Sequence, residues 1–152
     1  DIVGVEIGGS IKNVIAIACG VCDGLRLGTN TKAAIVARGL SEIAQLGKAM
    51  GGQSKTFYGL TGLGDLTTTC FSPSSRNRTF GEALGNGQSA KKILESMEMV
   101  AEGVETVTAV YKLSRKYKIP MPISREVYNI IYKNKDPQQA VSDLMSREIR
   151  AE

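Results

Sequence analysis

The sequence contains no histidine, which is the side chain that most readily exchanges protons near neutral pH. Any general acid or base must therefore be a lysine, a carboxylate or a tyrosine. Only three cysteines occur, Cys19, Cys22 and Cys70, so they cannot all pair with one another. Without histidine to complete a ligand set, the C-x-x-C of Cys19 and Cys22 predicts no zinc site. Unpaired cysteines indicate a reducing compartment, so we expect a cytoplasmic protein without a metal.

Aromatic residues make up 5% of the chain and are not interleaved with basic residues, which argues against a stacking platform for single-stranded nucleic acid. The net charge of +4 comes from cations scattered among carboxylates, so we expect no nucleic-acid partner. It suits a small anionic substrate and a solvated surface equally well. We expect no membrane-spanning run and no signal peptide. A start at Asp1 in place of Met indicates a processed product or a piece of a longer protein.

Apolar residues recur at helical spacing almost throughout the 152 residues, which predicts a single all-α domain. Only Val3, Val5 and Ile7 alternate, and they predict a short extended segment. Loops are predicted from Gly28 to Asn30 and from Gly59 to Asp65. The predicted helices cover about 6–25, 31–50, 54–58, 76–84, a segment after Ser89, 103–117, 122–132 and 137–149, with serine caps at Ser54, Ser75 and Ser89 and prolines opening the last two.

Lys12 is the one charged residue between Ile7 and Cys22, in a run typical of a buried helix. Lysine is seldom fully buried without a partner, and burial disfavours the charged form of an amine, so a buried amine exchanges protons more readily. Lys12 is therefore the first candidate for chemistry. Helical spacing surrounds it with small residues that leave room for a flat molecule: Gly8, Gly9, Ala16 and Cys19. The alternative is a lysine that reaches the surface or pairs with a distant carboxylate.

Asp65 follows a glycine-containing segment, Gly62-Leu63-Gly64, that lacks the third glycine of a dinucleotide-binding fingerprint. These glycines instead allow the backbone to turn and bring Asp65 inward, where its carboxylate faces Lys12 or accepts a hydrogen bond from a substrate hydroxyl. The local sequence is equally consistent with Asp65 capping a short helix through Thr68 or Thr69.

Ser75-Arg76-Asn77-Arg78 lies at a predicted helix start, where free backbone N–H groups and the helix dipole favour an anion. Arginine adds a planar fork that matches phosphate oxygens. A capped, solvated helix start is the alternative. Glu102-Gly103, taken alone, indicates a turn with an acidic cap.

Four segments together resemble the C-terminal half of bacterial-type NAD(P)-dependent glycerol-3-phosphate dehydrogenases, in the same order and spacing across essentially the whole chain. They are residues 8–16 (GGSIKNVIA), 62–66 (GLGDL), 75–78 (SRNR) and 102–103 (EG). That family reduces dihydroxyacetone phosphate to sn-glycerol 3-phosphate with NADH or NADPH for phospholipid synthesis. The resemblance implies that residues 1–152 form a helical substrate-binding domain similar to the C-terminal domain of 6-phosphogluconate dehydrogenase.

The resemblance also implies roles for individual residues. Lys12 matches the general acid/base that acts at the carbon-2 oxygen of the substrate. Positions matching substrate-binding residues are Asp65, Ser75, Arg76 and Asn77, with Asn13 and Thr69 lining the same pocket. Positions matching cofactor-binding residues are Arg76, Val100 and Glu102.

Members of this family bind the dinucleotide mainly through an N-terminal Rossmann domain, and this chain has neither its glycine fingerprint nor its alternating strands and helices. We therefore expect the chain alone to be inactive, and a homodimer through the helical domain is compatible with the family. One alternative is a sister hydroxyacid reductase. Such enzymes tend to carry asparagine four residues after the lysine, whereas this chain has Ala16 there and Asn13 beside Lys12. Another is a helical dimerisation or interaction module in which Lys12 is structural.

Overall fold

A computed structural model describes residues 1–146, and within them the chain is helical without strands, which confirms the all-α prediction. The elements are α1 (Ile2–Gly24), α2 (Gly28–Ala49), α3 (Ser54–Tyr58), a π-helical turn (Leu60–Gly64), α4 (Asp65–Phe71), α5 (Arg76–Gly85), α6 (Ala90–Ser96), α7 (Glu102–Tyr117), α8 (Pro122–Lys133) and α9 (Pro137–Met145).

Helix α1 lies at the centre of the domain and packs against α2, α4, α5, α7 and α8. Every residue from Asn13 to Cys22 is buried, so this stretch is covered on all sides. By length and composition α1 could cross a bilayer, which corrects the expectation that no apolar run is long enough. In its most apolar window 56% of the residues are buried inside the protein, as expected for the core helix of a folded domain.

Glycines set the distance between α1 and α5. A Cβ atom added at Gly20 would lie 1.9 Å from the carbonyl oxygen of Arg78, and one added at Gly81 would lie 2.0 Å from that of Ile17. The two backbones are therefore in direct contact. This close approach fixes α5 against the C-terminal half of α1.

The predicted extended segment at Val3, Val5 and Ile7 is wrong, because α1 already begins at Ile2. The cause is Asp1, whose carboxylate accepts a hydrogen bond from the Gly4 N–H at 2.9 Å and so caps the helix. Val3 and Val5 are exposed, so their alternation does not mark a buried strand face.

Both loop predictions are wrong, because residues 28–30 belong to α2 and, of residues 59–65, only Gly59 lies outside a helical element. Helix α2 begins at Gly28, which leaves only residues 25–27 between α1 and α2. From Leu60 to Gly64 the chain forms a π-helical turn that runs directly into α4. A Cβ atom at Gly62 would lie 2.0 Å from the Phe57 carbonyl oxygen, so the turn packs closely on α3.

The local capping signals are mostly confirmed. Ser75 and Ser89 accept hydrogen bonds from the N–H groups of Arg78 and Lys92, at 3.3 and 3.4 Å, and proline opens both α8 and α9. The predicted cap at Ser54 is wrong, since Ser54 is the first residue of α3 and Gln53 precedes it without a side-chain cap bond. The predicted end of the last helix, at Ile149, lies outside the described residues.

Candidate active site

Lys12 lies on α1 and donates a hydrogen bond from Nζ to Oδ2 of Asp65, the first residue of α4. The two side chains are 21% and 39% exposed, respectively. The amine is therefore accessible at the edge of the domain and is not enclosed in the core. Of the sequence-based alternatives for Lys12, pairing with a distant carboxylate is what the structure contains, and both side chains of the pair remain partly exposed.

Asp65 faces Lys12, as one of the two sequence-based hypotheses predicts. The alternative, an aspartate that caps α4, is wrong: the cap position is Gly64, and no side-chain cap bond forms. Thr69 instead donates from its hydroxyl to the Asp65 carbonyl oxygen at 2.7 Å and lies 3.4 Å from Oδ1. This contact places Thr69 beside the ion pair.

The predicted surface of small residues around Lys12 is present on one side only. Gly9 has open space where a side chain would extend, and a Cβ atom at Gly8 would be 3.7 Å from the nearest atom, the Thr61 carbonyl oxygen. Ala16 and Cys19 are fully buried in the core. A ligand can therefore approach the amine from the Gly9 side of α1.

A chain of side-chain amides joins α1, α5 and α7 next to Lys12. Asn77 donates from Nδ2 to Oδ1 of Asn13 at 3.0 Å, and its own Oδ1 accepts from the Gly103 N–H at 2.9 Å. Asn13 in turn donates to Oε2 of Glu102 at 3.4 Å. Because an amide nitrogen carries two protons, Asn77 keeps one donor beyond these contacts.

The N-terminal ends of α5 and α7 meet at this chain of amides, through the bond from Gly103 to Asn77. Ser75 accepts from the Arg78 N–H and still has its own hydroxyl proton to donate. Arg76 is exposed at the first position of α5. The N-terminus of α5, together with a guanidinium that has no ion-pair partner among residues 1–146, favours an anion.

The three predicted cofactor-side residues lie at the same end of the domain. Arg76 and Glu102 open α5 and α7, respectively, and both are exposed. Val100 lies two residues before Glu102 and is 56% exposed. Their side chains are therefore accessible beside the amide chain, which suits contact with a molecule held partly by another domain.

Sequence reasoning missed a cluster of charges around Asp23, near the C-terminal end of α1. Oδ2 of Asp23 accepts from Nζ of Lys32 at 2.7 Å and from Nη1 of Arg78 at 2.8 Å. Burial acts to lower the pKa of Arg78, but hydrogen bonds and charges from Asp23 and Glu82 outweigh it and raise that pKa. The available signal was spacing, since Asp23 lies eleven residues after Lys12 and hence on the same helical face.

The three cysteines are free and buried. Burial raises the pKa of the Cys22 thiol to about 12. A hydrogen bond with Cys70, together with burial, raises the pKa of Cys19. Since the thiolate is the nucleophile, Cys19 and Cys22 are inert at neutral pH and are not candidates for catalysis.

An open cleft of about 410 Å³ lies far from Lys12, at the corner between α7 and α8. Its lining includes Arg115, Lys118 and Arg125. Two of these cations lie at the C-terminal end of α7, where the helix dipole favours positive charge. Glu102 is at the opposite end of this 16-residue helix, about 24 Å away, so the cleft is separate from the site at Lys12.

The chain matches the model of a protein family described as NAD-dependent glycerol-3-phosphate dehydrogenase C-terminus, over residues 1–142. It belongs to this family. Glycerol-3-phosphate dehydrogenase (NAD(P)+) of Desulfovibrio desulfuricans is 52% identical over all 152 residues, and that of Geobacter sulfurreducens is 51% identical over the same length. The crystal structure of glycerol-3-phosphate dehydrogenase from Coxiella burnetii superposes with a TM-score of 0.94 and 45% identity over 97% of this chain.

The chain spans about half the length of these glycerol-3-phosphate dehydrogenases: 46% and 45% of the two relatives and 45% of the Coxiella chain. The match confirms the resemblance inferred from the four sequence segments. Within the glycerol-3-phosphate dehydrogenase family, the chain is the helical C-terminal part.

Proposed function

We propose that this chain is the substrate-binding and catalytic half of an NAD(P)-dependent glycerol-3-phosphate dehydrogenase, which reversibly reduces dihydroxyacetone phosphate to sn-glycerol 3-phosphate. The observation that carries the proposal is the accessible Lys12–Asp65 pair beside the converging N-termini of α5 and α7. This arrangement offers a proton donor and an anion site together. A phosphorylated ketone requires both.

Lys12 is the proposed general acid/base. In the reductive direction its ammonium donates a proton to the carbon-2 oxygen as that carbon becomes an alcohol, and in the reverse direction the neutral amine takes the proton back. Asp65 holds the amine in place by its hydrogen bond and, through Thr69, is itself fixed to the first turn of α4. Histidine, the usual residue for this task, is absent from the sequence.

The phosphate is proposed to bind at the start of α5. Arg76 supplies a guanidinium that has no ion-pair partner among residues 1–146, Ser75 a hydroxyl proton and Asn77 its remaining amide proton. Asn13 lines the same pocket, because it connects Asn77 to the α7 side through Glu102.

NADH or NADPH is the proposed cofactor, and when bound it supplies the hydride to carbon 2. Exposed Arg76, Val100 and Glu102 fit the edge of such a molecule, since they offer a cation, an apolar surface and a hydroxyl acceptor. The described residues do not contain the main binding site: Gly62 and Gly64 lie in a π-helical turn packed on α3, not between a strand and a helix. The remainder of a full-length parent would hold the dinucleotide.

The proposed enzyme is soluble and cytoplasmic and supplies sn-glycerol 3-phosphate for phospholipid synthesis. Free, buried cysteines support a reducing compartment. Assembly as a homodimer through the helical domain is part of the proposal, supported by exposed apolar side chains such as Tyr132 and Met145. Light scattering of the full-length parent tests this assembly.

Two other functions account for fewer of these features. A sister hydroxyacid reductase would need another use for the anion-favouring start of α5, and position 16 is a buried alanine in place of asparagine. A helical dimerisation module would leave the accessible Lys12–Asp65 pair without a role. Family membership favours the dehydrogenase over both.

The test is dihydroxyacetone-phosphate-dependent oxidation of NADH and NADPH by the full-length parent. Replacing Lys12→Met should lower kcat by about 10²- to 10⁴-fold, the usual contribution of a general acid/base. Lys12→Arg keeps a cation for Asp65 but cannot release a proton at neutral pH, so it should be similarly impaired. Lys112→Met, at an exposed position on α7, is the matched control and should retain activity.

Melting temperatures of all three variants establish that they are folded. A folded Lys12→Met parent with full activity would contradict the role of Lys12. A folded wild type that ignores dihydroxyacetone phosphate would instead favour the sister reductase.

A further inference from the structure

Two ion pairs, far apart on α1, bracket the segment that carries most of the proposed substrate-binding residues. One pair joins Lys12 to Asp65, and the other joins Asp23 to Arg78. Lys12 and Asp23 are eleven residues apart, which is about three turns and about 16 Å along the same helical face. Between the two anchors the chain runs through α4, a four-residue loop (72–75, the phosphate loop) and the start of α5.

Arg78 contacts both ends of the phosphate loop. Its Nε donates to the Ser72 carbonyl oxygen at 3.0 Å, and its backbone N–H donates to the Ser75 hydroxyl oxygen at 3.3 Å. Its Nη1 donates to Asp23 at 2.8 Å. The guanidinium of Arg78 therefore connects the loop to α1. The side chain of Arg78 is 13% exposed, which leaves it little freedom to move.

Lys32 supports the same anchor from α2. Its Nζ donates to Oδ2 of Asp23 at 2.7 Å and lies 4.7 Å from the ring centroid of Phe71, the residue that precedes the loop. Asp23 thus accepts from two cations, of which Arg78 contacts the loop and Lys32 contacts Phe71, the residue before it. Removal of the Asp23 carboxylate would leave these two partly buried cations without their shared partner.

We propose that Arg78, held by Asp23, is a positioning residue that places Ser75 and Arg76 at a fixed distance from Lys12. This inference rests on the function proposed above. The first ion pair fixes the carbonyl end of the substrate and the second fixes the phosphate end. Arg78 engages Ser72 through Nε and Asp23 and Glu82 through Nη1, so these contacts hold the loop in place and do not themselves bind the substrate.

The test uses the full-length parent and the variant Arg78→Lys. Lysine keeps the charge near Asp23 but lacks the planar fork that also reaches the Ser72 carbonyl. We expect KM for dihydroxyacetone phosphate to rise about tenfold, as for one lost charge-assisted hydrogen bond, with a smaller change in kcat. Competitive inhibition by inorganic phosphate should weaken in parallel.

Glu82→Gln is the matched control. It removes the other carboxylate partner of Arg78, at 3.0 Å and one turn along α5, which does not touch the loop. KM and phosphate inhibition should stay at wild-type values in this variant. Asp23→Asn removes the negative charge that anchors Arg78 to α1 and should shift KM in the same direction as Arg78→Lys.

A structural role alone would lower the melting temperature without changing KM or phosphate inhibition, and that result in Arg78→Lys and Asp23→Asn would overturn the proposal. Should the wild-type parent fail to reduce dihydroxyacetone phosphate, the proposed function fails, and calorimetric binding of inorganic phosphate decides the role of Arg78. Weaker phosphate binding in Arg78→Lys than in wild type supports positioning. Equal binding, or no phosphate binding by the wild type, overturns it.

Discussion

Arg76 and Arg78 lie two residues apart at the start of α5, yet only one of them is paired with carboxylates. Arg78 is neutralised by Asp23 and Glu82, whereas Arg76 is exposed and, within residues 1–146, has no ion-pair partner. A charge that the protein has already paired cannot strongly attract a ligand, while an open one can. The burial and pairing of a side chain, more than its type, decide which arginine is suited to an anionic ligand.

The buried thiols give a prediction about pH. The pKa of Cys22 is about 12 in the folded protein, compared with 9.0 for an ordinary thiol. Because the pKa is higher in the folded than in the unfolded state, the thiol of Cys22 does not reduce the free energy of unfolding below pH 9. That free energy falls as the pH rises from 9 towards 12, because the unfolded chain ionises first. By linkage, ionisation of Cys22 in the unfolded chain should lower the free energy of unfolding by about 2 kcal/mol at a pH of about 10.5.

Urea unfolding at pH about 8 and about 10.5 measures this loss. The comparison is with Cys22→Ala, which shares every other titrating group and should lose less stability over the same interval. The readout is the change with pH, so any packing defect from the substitution cancels. Equal losses in the two proteins would show that the thiol of Cys22 does not contribute.

At the scale of helices, the contact between α1 and α5 depends on glycine. Gly81→Ala would place a methyl group against the Ile17 carbonyl of α1, and overpacking of this kind costs about 1–3 kcal/mol. Gly9→Ala, in α1, meets no atom within 4 Å and should instead stabilise by about 0.5–1 kcal/mol, because alanine favours helix. Urea unfolding should therefore move in opposite directions for the two substitutions.

Both substitutions replace a helical glycine by alanine, so each serves as the control for the other. A similar loss of stability in both variants would show that the close contact at Gly81 is not the cause of the loss. Stabilisation by Gly81→Ala would mean that the two backbones are not in contact.

Helix ends were predicted well where a single residue determines them. Serine at the caps of α5 and α6 and proline at the first position of α8 and α9 act within one turn, so the sequence reveals them. The helical start at Ile2 was missed although the cap is local, because the alternation of apolar residues suggested a strand. The π-helical turn at Leu60 was missed because it depends on a close approach to α3.

The candidate site could be predicted only in part. An unexpected charge in an apolar run singled out Lys12, and glycines next to Asp65 suggested its inward turn. By contrast, Asn77 bonds to Asn13, 64 positions earlier, and to the Gly103 N–H, 26 positions later. Such links depend on the packing of three helices, and no local pattern in the sequence encodes them.

At the scale of the whole molecule, the proposal predicts that the 152-residue chain alone does not catalyse dihydroxyacetone-phosphate-dependent oxidation of NADH or NADPH. Its residues Arg76, Val100 and Glu102 provide only an edge for the dinucleotide, without the fold that binds it. A spectrophotometric assay that follows the absorbance of reduced nicotinamide, at ~340 nm, would measure the turnover. Turnover that is lost in Lys12→Met would contradict the prediction.

Helix α1 also has a consequence for synthesis on the ribosome. Within residues 1–146 it precedes the helices that pack on it, and its contacts with α5, α7 and α8 join residues far apart in sequence. A nascent chain therefore carries an apolar helix that is only partly covered until α8 has been made. Long-range contacts of this kind slow folding and favour aggregation, so chaperones that bind apolar helices should engage α1 during translation.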